Sequence, residues 1–224
     1  MQNLLEALLD AVAPRRCPGC SEVCATGWCD ECGEPEPLLD AGSVAGTPVV
    51  AGGVYAGALA RAITRFKYEP RPELAVPLAR LLVTAARQHV LPENVAWVPV
   101  PLHFERLVER GFNQSALLAR ELSRATRRPM CARLLYRQRD TGHQVELGRS
   151  ERATNVRDAF RVRAPSTHAV VLVDDVVTTG ATAEACIEAL RQKDVGVHAV
   201  FALARTVPGR GPSPRARERP NSRP

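Results

Sequence analysis

Val170-Val171-Leu172-Val173-Asp174-Asp175-Val176-Val177-Thr178-Thr179-Gly180-Ala181-Thr182 is an apolar, β-branched run that ends in two adjacent carboxylates and a hydroxyl-rich turn. An unbroken run of this kind suits a strand buried on both faces. Beyond it, Ala183, Cys186, Ile187 and Leu190 recur at helical spacing, so Ala181 to Lys193 reads as a helix. The turn then faces a helix N-terminus, where free backbone N–H groups and the positive end of the helix dipole can bind a phosphate dianion. Thr178, Thr179 and Thr182 add hydroxyl donors, and Gly180 permits close approach. Asp174 and Asp175 would repel a phosphate they touched. They fit better a few ångströms away, accepting hydrogen bonds from sugar hydroxyls or orienting a magnesium-bound substrate.

The rest of the chain bounds this reading. With 224 residues, 45% of them hydrophobic, it can bury one substantial core and a small accessory module. No apolar stretch reaches membrane-spanning length. Met1 to Asp10 carries two acids and no base ahead of its leucines, which argues against a secretory signal and for a cytoplasmic protein. The formal charge is +6, but five arginines and one glutamate follow Val207, so +4 belongs to that tail and +2 to everything else. The tail, 208–224, mixes Pro, Gly, Ser and Arg with no apolar face and is expected to be disordered.

Five of the seven cysteines fall between Cys17 and Cys32, as Cys17-Pro18-Gly19-Cys20, Cys24 and Cys29-Asp30-Glu31-Cys32. Two Cys-x-x-Cys pairs with a short spacer offer four thiolates to a tetrahedral zinc ion. Cys17, Cys20, Cys29 and Cys32 are the expected ligands of a structural site, with Cys24 a surplus thiol able to replace one of them. A disulfide knot and a redox pair are the competing readings; the first lacks an export signal and the second lacks its usual context. Cys131, on an expected strand, and Cys186, on a helix face, read as small core residues.

Leu4, Leu5, Leu8, Leu9 and Val12 form one face of a short helix. The expected organisation is this helix with the zinc module (1–35), a linker (36–47), a main domain (48–207) and the tail. Strands are expected at Val49–Tyr55, Val95–Val100, Cys131–Leu135, the acid-ended run and Gly196–Ala204. Helices are expected at Ala58–Lys67, Glu73–Gln88 and from the Gly111–Ser115 segment to about Arg127. Strands alternating with helices imply a parallel sheet with ligands at its carboxyl edge. Arg106 and Arg110, four residues apart, would project to one side of a short helical turn, a guanidinium pair suited to a diphosphate. Arg-rich chains also place arginines on surface helices, so the spacing decides little. The polar stretch from Arg137 to Asn155 fits a mobile lid or ordinary disorder.

The acid-ended run resembles the phosphoribosyl-pyrophosphate (PRPP) fingerprint of type I phosphoribosyltransferases, a match nearly complete over its thirteen residues. A buried strand and polar turn occur in any doubly wound domain, but both the acid doublet and the Thr-Thr-Gly-Ala-Thr turn would then have to be accidents. Val98-Pro99-Val100-Pro101-Leu102, Arg106, Arg110-Gly111-Phe112-Asn113-Gln114, and then Arg139, Thr141, Gln144, Arg149, Arg152, Asn155 and Phe160 sharpen the likeness. Together with the cysteine pairs, they resemble the ComF family of competence-associated, phosphoribosyltransferase-like proteins from about Cys17 to Arg205. The resemblance implies an α/β fold of the type I phosphoribosyltransferase kind, a parallel sheet flanked by helices, behind a small amino-terminal zinc module. It also implies PRPP with magnesium as ligand and a role in DNA uptake and natural transformation. On that basis the 5′-phosphate is expected on Val177, Thr178, Thr179, Gly180, Ala181 and Thr182, the ribose hydroxyls on Asp174 and Asp175, and the departing diphosphate on magnesium with Arg106 and Arg110. No residue declares the acceptor. A protein that binds PRPP without turnover, and contacts single-stranded DNA or a helicase, is therefore the alternative, although aromatic residues make up only 4% of the chain.

Overall fold

A computed structural model describes residues 14–25, 27–138, 159–163 and 168–207. The Leu4–Val12 helix, the 139–158 part of the polar stretch and the tail lie outside the described residues. Strands β1 (Ser43–Val44), β2 (Thr47–Ala51), β3 (Val95–Pro99), β6 (Ala169–Val177) and β7 (Val197–Arg205) form one sheet. Its order is β1-β2-β7-β6-β3. The pairs β2/β7, β7/β6 and β6/β3 are parallel, and only β1 runs antiparallel to its neighbour. The α/β class with a parallel sheet flanked by helices is therefore observed.

Helices α1 (Gly57–Tyr68), α2 (Ala75–Gln88), α3 (Phe104–Arg110), α4 (Gln114–Thr126) and α5 (Ala181–Arg191) supply the layers. Alternation along β6 sends Val171 and Val173 into the core with α1, α2 and α4, and Val170 and Leu172 into the core with α5. The continuous apolar run is thus explained by helices on both faces. Trp97, fully buried on β3, satisfies its indole N–H by donating to Thr126 Oγ1 at 2.9 Å. Pro99 sits on the edge strand β3, where a missing backbone donor costs least.

One expected element is displaced. Cys131–Leu135 is not a sheet strand; Met130 makes an isolated parallel bridge to Trp97, and the chain then turns, Leu134 N–H donating to the Cys131 carbonyl at 3.2 Å. Strand β4 is Leu135–Arg137, paired antiparallel with β5 (Phe160–Val162) in a separate ribbon against α5. Leu134 and Leu135 are both buried, so the apolar run reflects burial of a turn and a short ribbon. Within the stretch before the main domain, Ser43–Val44 already pair as β1.

Candidate functional site

The site forms where β6 ends at the carboxyl edge of the sheet, beside the start of α5. Gly180 caps α5 at φ +91° in the left-handed region, and a Cβ there would lie 2.7 Å from Val44 Cγ2. Both the backbone and the space require glycine. The turn is tied to β7: Arg205 Nη1 donates to the Thr178 carbonyl at 3.0 Å, and Thr206 N–H to the Val177 carbonyl at 3.2 Å. Asp174, Val176 to Thr182 and Ala183 enclose a cavity of about 50 Å³. One water needs roughly 10–15 Å³, so this space suits a group of a few heavy atoms, such as a phosphate.

A second cavity of about 220 Å³ shares Asp174, Val176 and Thr182 with the first. Asp175, Lys67, Arg110, Arg137, Asn113, Gln114 and Ser115 also line it. Asp174 Oδ1 accepts from Ser115 Oγ at 3.3 Å and from the Asp175 N–H at 2.8 Å. Burial, and then the neighbouring Asp175 charge, push the Asp174 carboxyl up to about 7, against the opposing pull of the Asp175 N–H, Lys67 and Ser115. Lys67 Nζ pairs with Asp175 Oδ1 at 3.0 Å. The Arg110 guanidinium stacks over Tyr68, 5.3 Å from the ring centroid, and its Nη1 donates to Gln114 Oε1 at 3.3 Å. Its buried Nε–H has no acceptor among the described residues. Gln114 is itself buried and anchored, Nε2 donating to the Phe66 carbonyl at 3.2 Å.

The two expected arginines part company. Arg110 faces the acids, whereas Arg106 is more than half exposed and pairs with Glu109 at 2.8 Å. Lys67, Ser115 and Gln114 are site residues that sequence reading did not single out for chemistry. Lys67 had one available signal: it and Lys193 are the only lysines in an arginine-rich chain.

The cysteine pairs form a second cluster. The sulfurs of Cys17, Cys20, Cys29 and Cys32 all lie within 4.8 Å of one another, an arrangement able to hold a zinc ion, and Cys24 falls outside the four. Burial raises the Cys17 thiol, but backbone N–H groups at Cys29, Cys20 and Gly19 outweigh it and lower the group to about 7. Burial and the neighbouring sulfurs push Cys32 up to about 12. Four thiols this close cannot all ionise without a cation, so the donor set fits a metal. Gly19 lies against α1, where a Cβ would meet Ala58 Cβ at 2.9 Å. Arg61 Nε donates to the Gly19 carbonyl and Arg65 Nη1 to the Pro18 carbonyl, each at 3.1 Å.

Comparison with known proteins places this architecture. The chain is 34% identical over 185 residues to Competence protein F of Haemophilus influenzae, covering 79% of this chain and 78% of that protein. The chain belongs to the ComF family. Within it, the DNA utilization protein YhgH of Salmonella typhi is 33% identical over 84% of this chain and 91% of its own length. Competence protein ComFC of Bacillus subtilis is 29% identical over 62% of this chain and 56% of its own. No family model matches the ComF-family chain. Among solved structures, a glutamine PRPP amidotransferase from B. subtilis in complex with ADP and GMP overlaps 62% of this chain and 30% of its own, with a TM-score of 0.40 and 17% identity, a likeness too partial to bear on function. No helix among the described residues is long and apolar enough to cross a membrane.

Proposed function

We propose that this ComF-family protein binds PRPP with magnesium and serves DNA uptake, transferring the phosphoribosyl group to an acceptor nucleophile. The observation that carries the reading is the pair of joined cavities. The smaller is walled by a helix N-terminus and hydroxyls and suits the 5′-phosphate; the larger carries Lys67, Arg110 and Arg137 and suits the diphosphate. Asp174 lines both cavities and Asp175 the larger one, where ribose hydroxyls would donate to them. Arg110 Nε, a buried donor with no acceptor among the described residues, supports an anionic occupant.

Transfer breaks the bond between the anomeric carbon and a diphosphate oxygen, the electron pair leaving with the diphosphate. The acceptor then bonds to that carbon and gives up a proton. Magnesium, bound with the ligand, would lower the charge of the departing diphosphate. The chain's own part is to fix the ribose through Asp174 and Asp175, seat the 5′-phosphate on the Thr178–Thr182 turn, and stabilise the leaving charge with Arg110 and Lys67. The four cysteines are assigned a structural zinc ion, closed to substrate.

The relatives' names, Competence protein F and DNA utilization protein, support the placement in DNA uptake, with single-stranded DNA and a helicase as the partners this role implies. Binding without turnover is the second reading, since every contact assigned above serves the phosphates and ribose of PRPP whether or not an acceptor follows. Pyrophosphate release decides between them. An enzyme releases it from PRPP on addition of one member of a panel of bases, nucleosides and amines, and a binder releases none.

A further inference from the structure

Three cations line the larger cavity with the acid pair. Arg137 lies over the Phe160 ring, 5.5 Å from its centroid, and Arg110 too is held in place. Its Nη1 is bonded to Gln114, which is anchored to the Phe66 carbonyl, and its plane rests on Tyr68. Lys67 is different in kind. It ends a flexible four-carbon stem in the last turn of α1, and Asp175 is the ion-pair partner that holds it, at 3.0 Å with side chains 20% and 15% exposed. A lysine in a chain whose basic residues are otherwise almost all arginine also suits a place that needs a compact, movable charge, which a planar fork does not supply.

We infer that Lys67 is the diphosphate-sensing residue of this site, held by Asp175 until ribose hydroxyls engage that carboxylate and then passed to the ligand's diphosphate in the same cavity. The inference rests on the phosphoribosyl reading above. Its consequence is discrimination. Any ligand whose ribose engages Asp175 weakens the 3.0 Å ion pair, and the partly desolvated ammonium then needs another anion. PRPP supplies one within the 220 Å³ cavity; ribose 5-phosphate does not. The site therefore favours the diphosphate ligand both by a new contact to it and by an uncompensated loss with its competitor.

Titration calorimetry of PRPP with magnesium and of ribose 5-phosphate into the full chain, Lys67→Met and Lys67→Arg tests this. The parent is expected to prefer PRPP. Lys67→Met is expected to weaken PRPP about tenfold or more while ribose 5-phosphate binds as before or more tightly, and Lys67→Arg is expected to recover part of the preference. Thermal melting checks that each variant is folded, with Lys67→Gln replacing the Met variant if that one is not. Unchanged PRPP affinity without Lys67, or an equal loss of both ligands in a folded variant, overturns the inference and leaves the phosphoribosyl reading standing. A parent that binds neither ligand ends both.

Discussion

Two faces of α1 look onto two clusters of convergent anionic groups, and the clusters solve the same electrostatic problem in opposite ways. Ala58, Arg61 and Arg65 meet the cysteine knuckle, while Lys67 and Tyr68 turn toward the acid cleft. In the knuckle all four sulfurs converge within 4.8 Å, so a single metal ion could satisfy every member with no position left over. In the cleft the two carboxylates are satisfied separately, Asp174 by Ser115 and a backbone N–H, Asp175 by Lys67, and cavities of about 50 and 220 Å³ stay open beside them. On the proposed function, closure marks a folding device and openness a ligand site.

The contrast breaks most visibly through the metal. Cys20→Ser with Cys29→Ser should abolish zinc in elemental analysis and cost much of the knuckle's folding energy, a term on the order of 10 kcal/mol in isolated zinc-finger peptides. The melting midpoint should fall sharply while residual PRPP binding by folded protein persists; loss of ligand binding with no change in melting would invert the roles assigned to the two clusters. A smaller effect is expected at Gly180. Gly180→Ala forces a side chain onto a φ of +91° and against Val44, so it should lower stability by about 1–3 kcal/mol in chemical denaturation and weaken PRPP. Adding Val44→Ala should relieve the contact and leave the backbone strain.

Asp174 gives a pH signature of its own. Its carboxyl titrates at about 7 in the fold against 3.8 as a free side chain, so between those values the folded chain holds the extra proton. Stability from this group is therefore fully present below about pH 4, is lost as pH rises to about 7, and is flat above. Denaturation of the parent and of Asp174→Asn across that range should show the variant gaining stability relative to the parent toward neutrality; a constant difference would contradict the assignment. The smallest effects separate the arginines. Arg110→Ala should weaken PRPP about tenfold, whereas Arg106→Ala, already paired with Glu109, should stay within about twofold.

The parts of the molecule legible in sequence were those encoded locally. The β6 run, its glycine-hinged turn and the periodic face of α5 are contiguous, and hydrophobic pattern plus turn chemistry specify them. The convergence of the four cysteines was legible for the same reason, each pair being one short knuckle. The Cys131–Leu135 strand failed because five residues of mixed apolar character carry no information on whether they join the main sheet or turn aside into a ribbon with Phe160–Val162. Lys67 was missed because its meaning is tertiary: nothing around it in α1 announces that its ammonium reaches the end of a strand far along the chain. Arg106 and Arg110 share a spacing but not an environment, since Tyr68 and Gln114 receive one and Glu109 the other.

The central claim is that the acid pair and the Thr178–Thr182 turn together hold a phosphorylated ribose. Calorimetric titration of PRPP with magnesium into the parent and into Asp174→Asn with Asp175→Asn tests it most directly. The account predicts saturable 1:1 binding by the parent and an affinity at least about a hundredfold lower in a double variant that melts no earlier than the parent. Absence of binding by the parent, or equal binding by both proteins, would contradict it.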